Sequence, residues 1–132
     1  MPRDLRLLCF DGGGIRCLSS LYILRSLMRK IAPKAKPCDH FDMIGGASTG
    51  GLIAIMLGRL EMSVQECIDA YTSLSSEIFA KGNRKLFPVS WRGKLKSRFD
   101  FGKLEREIKE MVRRRGLEEN ELLAGPNAKC KV

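Results

Sequence analysis

Phe41-Asp42-Met43-Ile44-Gly45-Gly46-Ala47-Ser48-Thr49-Gly50-Gly51 is the stretch that decides how this chain folds. Phe41 to Ile44 reads as a short apolar strand, and Gly45-Gly46 end it. Beyond the turn, Gly51 to Leu60 is apolar on nearly every face, the pattern of a helix buried all round. Between strand and helix stands Gly46-Ala47-Ser48-Thr49-Gly50, a G-x-S-x-G. A nucleophilic serine needs an exposed hydroxyl on a turn so tight that small residues flank it. The helix that follows then offers N–H groups and its positive dipole end to developing negative charge. The pentapeptide alone reads equally well as a plain strand-to-helix turn. Its flanking elements are what favour the nucleophile.

Upstream, Leu5-Arg6-Leu7-Leu8-Cys9-Phe10 is a second apolar run and predicts a buried strand. It ends at Asp11-Gly12-Gly13-Gly14-Ile15-Arg16, where three glycines let backbone approach a ligand and successive N–H groups can hold an anion. Two readings compete: a phosphate cradle, or an oxyanion hole for an acyl intermediate. The dinucleotide fingerprint is imperfect, because its third glycine falls at Cys17, and a P-loop is excluded for want of Gly-Lys-Ser/Thr. From Ile15 to Ile31 the apolar residues Ile15, Leu18, Tyr22, Leu24, Leu27, Met28 and Ile31 form a broad helical stripe, with Pro33 as its stop and a loop through Pro37 after it. Strand, helix, strand, helix predicts parallel strands joined by crossovers. Both glycine turns then leave the same carboxyl edge of neighbouring strands, which brings an N–H cradle to a serine, the geometry of acyl transfer.

Downstream, Ser63-Val64-Gln65-Glu66 is a capping box, followed by Val64, Cys67, Ile68, Tyr71, Leu74 and Ile78 at helical spacing. Lys81 to Phe99 predicts an irregular basic connection holding Trp91. Asp100 then caps a helix to about Arg115, with Leu104, Ile108, Met111 and Val112 inward, Glu105/Lys109 and Glu110/Arg114 as outer pairs, and Gly116 past its end.

Asp11-Gly12-Gly13-Gly14-Ile15-Arg16, followed by Phe41 to Gly51, resembles the patatin-like phospholipase family, most of all its fungal-type members. The resemblance implies a three-layer α/β/α fold with a mainly parallel sheet, and hydrolysis of lipid esters by a Ser–Asp dyad without histidine. It implies Ser48 as nucleophile in an elbow flanked by Gly46 and Gly50, with Gly12, Gly13 and Gly14 building the oxyanion hole and Arg16 beside it. The chain departs from the family at Cys17, where glycine is usual, and at Ala47, where threonine is common. The family's dyad aspartate sits in a downstream Asp-Gly-Gly or Asp-Gly-Ala. Here the only Asp-Gly is Asp11-Gly12, while Asp69 and Asp100 precede Ala70 and Phe101. Lys129-Cys130-Lys131-Val132 looks like the opening of another strand. The expectation is therefore the N-terminal part of a patatin-like domain over residues 1–132, truncated before the later strands, with no dyad Asp and no activity by itself.

At 132 residues, 44% hydrophobic and 30% charged, the chain has room for one globular domain. The charge of +9 is local: residues 81–115 carry a net +9 and the remainder sums to zero. Aromatics mixed with cations at Leu86 to Lys94 suit an anionic membrane surface, but a solvated basic loop with inward aromatics is the preferred reading. Arg113-Arg114-Arg115 at a helix end follows from the dipole, so nucleic acid is not expected. Five cysteines without a C-x-x-C fit a reducing compartment and predict neither disulfides nor metal. No cofactor is expected. The longest apolar run, Leu52 to Leu57, falls well short of the about 20 residues of a spanning helix. A cytoplasmic, at most membrane-peripheral, protein with a lipid ester substrate is the expectation. His40, the sole histidine, precedes the serine's strand, so a loop role is preferred to a catalytic one. Two alternatives stand beside the hydrolase: a phosphate- or nucleotide-binding module using Gly12 to Gly14, and a non-catalytic truncated remnant.

Overall fold

Two four-residue strands, β1 (Leu7–Phe10) and β2 (Met43–Gly46), pair in parallel with Leu7 opposite Met43 and Phe10 opposite Gly46. The computed structural model describes residues 3–78 and 101–132. The other edge of β2 is met by Lys131 in a parallel bridge: Ile44 N–H donates to the Lys131 carbonyl at 2.9 Å and Lys131 N–H to the Asp42 carbonyl at 3.1 Å. The strand opening anticipated at Lys129 to Val132 thus lies beside β2. The fold is α/β with a parallel sheet, in keeping with a patatin-like α/β/α architecture.

Contacts divide the chain into two units, Met1–Tyr71 with Asn120–Val132, and Thr72–Glu119. In the first unit a 3₁₀ turn (Gly14–Arg16) leads into α1 (Cys17–Ile31), then come α2 (Pro37–His40) and α3 (Thr49–Ala54). A π-helical turn, Ile55–Arg59, extends α3, and α4 (Val64–Ile78) begins after it. The core gathers Phe10, Cys17, Leu21, Leu24, Met28, Ile44, Ile53, Met56, Leu57, Cys67 and Tyr71. The capping box at the head of α4 is present: Ser63 Oγ accepts from Glu66 N–H at 3.1 Å, and Glu66 Oε2 from Ser63 N–H at 2.7 Å.

Several expectations are corrected. α1 buries Cys17, Leu21, Leu24 and Met28, while Ile15, Tyr22, Leu27 and Ile31 are exposed. Apolar residues occur on several sides of this helix, and the tighter 3₁₀ turn at its head resets the phase of the buried seam. The segment through Pro37 is helical: proline at the first position has no N–H to lose, and Asp39 Oδ2 accepts from Lys36 N–H at 3.1 Å. β2 begins two residues later than the sequence suggested, and α3 begins two residues earlier. β1 is not buried throughout. Leu8, Phe10 and Ile44 face inward, whereas Leu7 and Cys9 on the opposite face are exposed, as is Met43.

In the second unit, α5 (Phe101–Arg114) carries the Glu105–Lys109 pair at 2.9 Å and Glu110–Arg114 at 3.1 Å, with Gly116 at φ 74 beyond its end. Leu104, Ile108, Met111 and Val112 are half-buried rather than fully inward. Arg113 pairs with Glu110 and Glu119. The basic connection of 81–99, with Trp91 and the Asp100 cap, lies outside the described residues. Among the described residues no helix is long and apolar enough to cross a membrane.

Candidate active site

The parallel pairing brings two corners to one rim. β1 ends at Phe10 and runs into Asp11 to Gly14; β2 ends at Gly46 and turns through Ala47 and Ser48 into α3. Ala47 N–H donates to the Phe10 carbonyl at 3.1 Å, which pins the second corner to the end of β1. Ser48 holds φ 54 and ψ −124, backbone that an L-residue adopts only under strain. Its side chain is exposed. Residues Gly50 and Gly51 donate back to the Ala47 and Ser48 carbonyls at 2.9 and 3.0 Å, closing the first turn of α3.

Close approach explains the glycines around the serine. A Cβ on Gly46 would stand 2.3 Å from both the carbonyl carbon and oxygen of Gly50. One on Gly50 would stand 2.5 Å from the Phe10 carbonyl oxygen and 2.8 Å from that of Asp11. No side chain fits at either place. The glycine loop closes on the serine in the same way: a Cβ on Gly12 would lie 3.1 Å from Ser48 Cβ and 3.7 Å from Ser48 Oγ.

Gly12 and Ser48 are therefore neighbours, as two corners on one rim require. The amides of Gly13 and Gly14 have found an acceptor inside the protein. Both donate to Thr49 Oγ1, at 3.3 and 3.1 Å. That oxygen also lies 3.2 Å from Cys17 Sγ, which in turn sits 3.4 Å from the Asp11 carbonyl oxygen. On the other side, the Tyr71 hydroxyl donates to the Gly14 carbonyl at 2.7 Å, with Tyr71 itself 1% exposed. Gly14, at φ 57, supplies the left-handed turn that lets the loop enter α1. Arg16 is exposed, next to the loop in sequence. Ser48 Oγ has no hydrogen-bond partner among the described residues, and neither does Gly12 N–H.

His40 does not join this group. It precedes β2 while Ser48 follows it, so a strand of four residues, about 13 Å, stands between them. Its ring packs edge-on against Phe41, with centroids 5.0 Å apart. Asp69 lies on α4 and accepts from Gln65 Nε2 at 3.0 Å. Asp100 lies outside the described residues. The cysteines are all free; burial pushes the Cys67 thiol up to about 12 and the Cys38 thiol up to about 11. Among the described residues no cluster of His, Cys, Asp and Glu could hold a metal ion.

In the sequence, neither Thr49 nor the Tyr71 hydroxyl stands out as part of the site, and Tyr71 reads only as a member of an apolar stripe. The signal available for Thr49 was a hydroxyl inside the serine's own pentapeptide, and for Tyr71 a phenol on a buried face, where its O–H needs a partner.

Comparison with known proteins fits this geometry. A family model described as patatin-like phospholipase matches residues 8–127. The chain belongs to that family. This patatin-like chain is similar to "Phospholipase A I" of Arabidopsis thaliana, 39% identical over 95 residues, which cover 70% of this chain and 7% of that protein. It is similar to "Calcium-independent phospholipase A2-gamma" of Homo sapiens, 40% identical over 80 residues, covering 60% of this chain and 10% of the human one. "Patatin-like protein 2" of Arabidopsis thaliana is 37% identical over 99 residues, 67% of this chain and 24% of the relative. The patatin-like chain thus spans under a quarter of the length of each of these relatives. No solved structure gives a significant match.

Proposed function

We propose that this chain carries the nucleophile half of a serine acyl hydrolase acting on phospholipid or acylglycerol esters, residues 1–132 forming the N-terminal part of its patatin-like domain. The observation that carries the reading is the Ser48 backbone, strained at φ 54 and ψ −124, with an exposed side chain against Gly12. Strain of this kind costs on the order of 1–3 kcal/mol and clusters where a side chain must be presented. The names of two similar proteins, both phospholipases, support lipid esters as the substrate class.

In this reading Ser48 Oγ bonds to the ester carbonyl carbon and the carbonyl electrons move onto oxygen. Collapse of that adduct expels the alcohol, and water then releases the acyl group. The developing oxyanion belongs beside Gly12 in the Gly12–Gly14 loop, with Arg16 alongside, since the Gly13 and Gly14 amides are held by Thr49 Oγ1. There Gly12 N–H is the loop donor without an acceptor, and the dipole of α3 adds to it. The attack also needs a base that takes the hydroxyl proton and passes it to the leaving alkoxide. The only Asp-Gly of the 132 residues is inside the glycine loop, and no carboxylate among the described residues bonds Ser48 Oγ. A positioned base contributes roughly 10²–10⁴-fold, so these 132 residues alone should turn over esters barely above background.

A fluorophosphonate probe tests the assignment: slow labelling mapped to Ser48 and absent from Ser48→Ala is expected. Labelling that persists in Ser48→Ala refutes the nucleophile. Rapid ester turnover lost in Ser48→Ala refutes the missing base.

A further inference from the structure

We propose that Thr49 and Cys17 form a hydroxyl–thiol relay that sets the course of the glycine loop beside Ser48, making Thr49 a positioning residue for acyl transfer; this rests on the hydrolase reading above. Four contacts define the relay. Gly13 and Gly14 N–H reach Thr49 Oγ1 at 3.3 and 3.1 Å, Cys17 Sγ lies 3.2 Å from the same oxygen, and Sγ lies 3.4 Å from the Asp11 carbonyl.

Only one placement of protons satisfies all four. An amide can only donate, so the two amides fill both lone pairs of the Thr49 oxygen. The single hydroxyl proton is then left to point at Cys17 Sγ. A backbone carbonyl can only accept, so the thiol proton points at Asp11. The relay therefore runs one way, from Gly13 and Gly14 N–H through the Thr49 hydroxyl and the Cys17 thiol to the Asp11 carbonyl. It ties both sides of Gly12 to the first residues of α3 and α1. Tyr71 holds the loop from beneath through the Gly14 carbonyl at 2.7 Å. Anchored on either side, Gly12 keeps its place against Ser48.

A rival role for Thr49 is a displaceable plug, its oxygen holding the place of a substrate oxygen in the Gly13–Gly14 nest. The relay argues against that. A substrate oxygen would refill the two amides, but pulling Thr49 away would still take its hydroxyl from the buried Cys17 sulfur, and an orphaned polar group carries a desolvation cost.

The test uses the full chain with a fluorophosphonate probe and, separately, NMR-detected amide exchange. Thr49→Val removes the hydroxyl while keeping the branched shape, Thr49→Ser keeps it, and Thr49→Ala stands in should the valine variant not fold. Losing the two amide bonds should raise Gly13 and Gly14 exchange about tenfold and slow the maximal phosphonylation rate of Ser48 about tenfold. The half-saturating probe concentration should not move, and Thr49→Ser should restore both rates. A loss that serine does not restore overturns the positioning role. Faster labelling without the hydroxyl overturns the proposal in favour of the plug. Unchanged exchange shows that the relay does not exist, and raised exchange with unchanged labelling shows that it positions nothing. If the wild-type chain is never labelled, the hydrolase reading has failed, and the exchange rates still decide whether the relay exists.

Discussion

Two adjacent glycines at the end of β2 should differ sharply when each is replaced by alanine. A Cβ on Gly45 meets nothing within 4 Å, whereas on Gly46 it lies 2.3 Å from the Gly50 carbonyl carbon and oxygen and 2.7 Å from Gly51 N. Comfortable carbon contacts lie at about 3.5–4.0 Å, so the overlap exceeds about 1 Å. The obstructing atoms are backbone, with no flexible side chain to swing aside. Gly50 is itself wedged against the Phe10 and Asp11 carbonyls, so the first turn of α3 has nowhere to retreat. Overpacking usually costs about 1–3 kcal/mol, and a main-chain clash this deep sits at the top of that range or above. We expect Gly46→Ala to lose about 3 kcal/mol, or about 12 °C in Tm for a domain of this size. Gly45 has no positive φ, so Gly45→Ala should gain about 0.5 kcal/mol from a stiffer unfolded chain. Urea melts followed by far-ultraviolet circular dichroism give both values. Variants whose stabilities fall within about 1 kcal/mol of each other would refute the close approach on which the elbow argument stands.

Ser48→Gly should stabilise the fold by about 1 kcal/mol, because relief of left-handed strain outweighs glycine's greater unfolded-state entropy, while probe labelling disappears; a lower urea midpoint would refute the strain. The Cys67 thiol is pushed by burial from 9.0 up to about 12. A group raised in the folded state stabilises fully below its unfolded value, so this contribution is intact below pH 9 and is lost as pH climbs toward 12. The loss approaches about 1.4 kcal/mol per pH unit for one thiol. Cys67→Ala should flatten the fall in urea-melt stability between pH 9 and 10.5, and an unchanged slope would count against the burial argument.

What the sequence made legible was the pair of corners. The G-x-S-x-G and the triple glycine each follow an apolar run, and parallel pairing of those runs leaves no freedom about the shared rim. The helix at residues 64–78 was equally readable, because its capping box and apolar stripe agree. The buried face of α1 was not, since this helix is apolar on several sides and the 3₁₀ turn ahead of it shifts the phase. The open face of β1 was hidden too: an apolar run reports what its neighbours would cover, and Leu7 and Cys9 find no cover among the described residues. The site lost detail for a different reason. Thr49 and Cys17 meet across 32 positions of sequence, and no local periodicity encodes a contact between the heads of two separate helices.

The strain at Ser48 and the glycines around it belong to one arrangement. An unfavourable backbone survives only where its surroundings over-determine it. Here three ties converge on the turn: Ala47 N–H on the Phe10 carbonyl, Gly50 packed against that same carbonyl, and the Thr49 hydroxyl beneath two loop amides. All three fasten the serine's turn to the end of β1 or to the loop that leaves it. Relaxing Ser48 into an ordinary helical or extended conformation would therefore break contacts with the glycine loop as well as those of its own turn. That coupling is what the proposed acyl transfer would need, because a nucleophile and its amide donor must keep their separation while charge moves between them. It also explains why glycines serve at positions 46 and 50 without any call on flexibility. They let two corners approach closely enough for one to hold the other in shape.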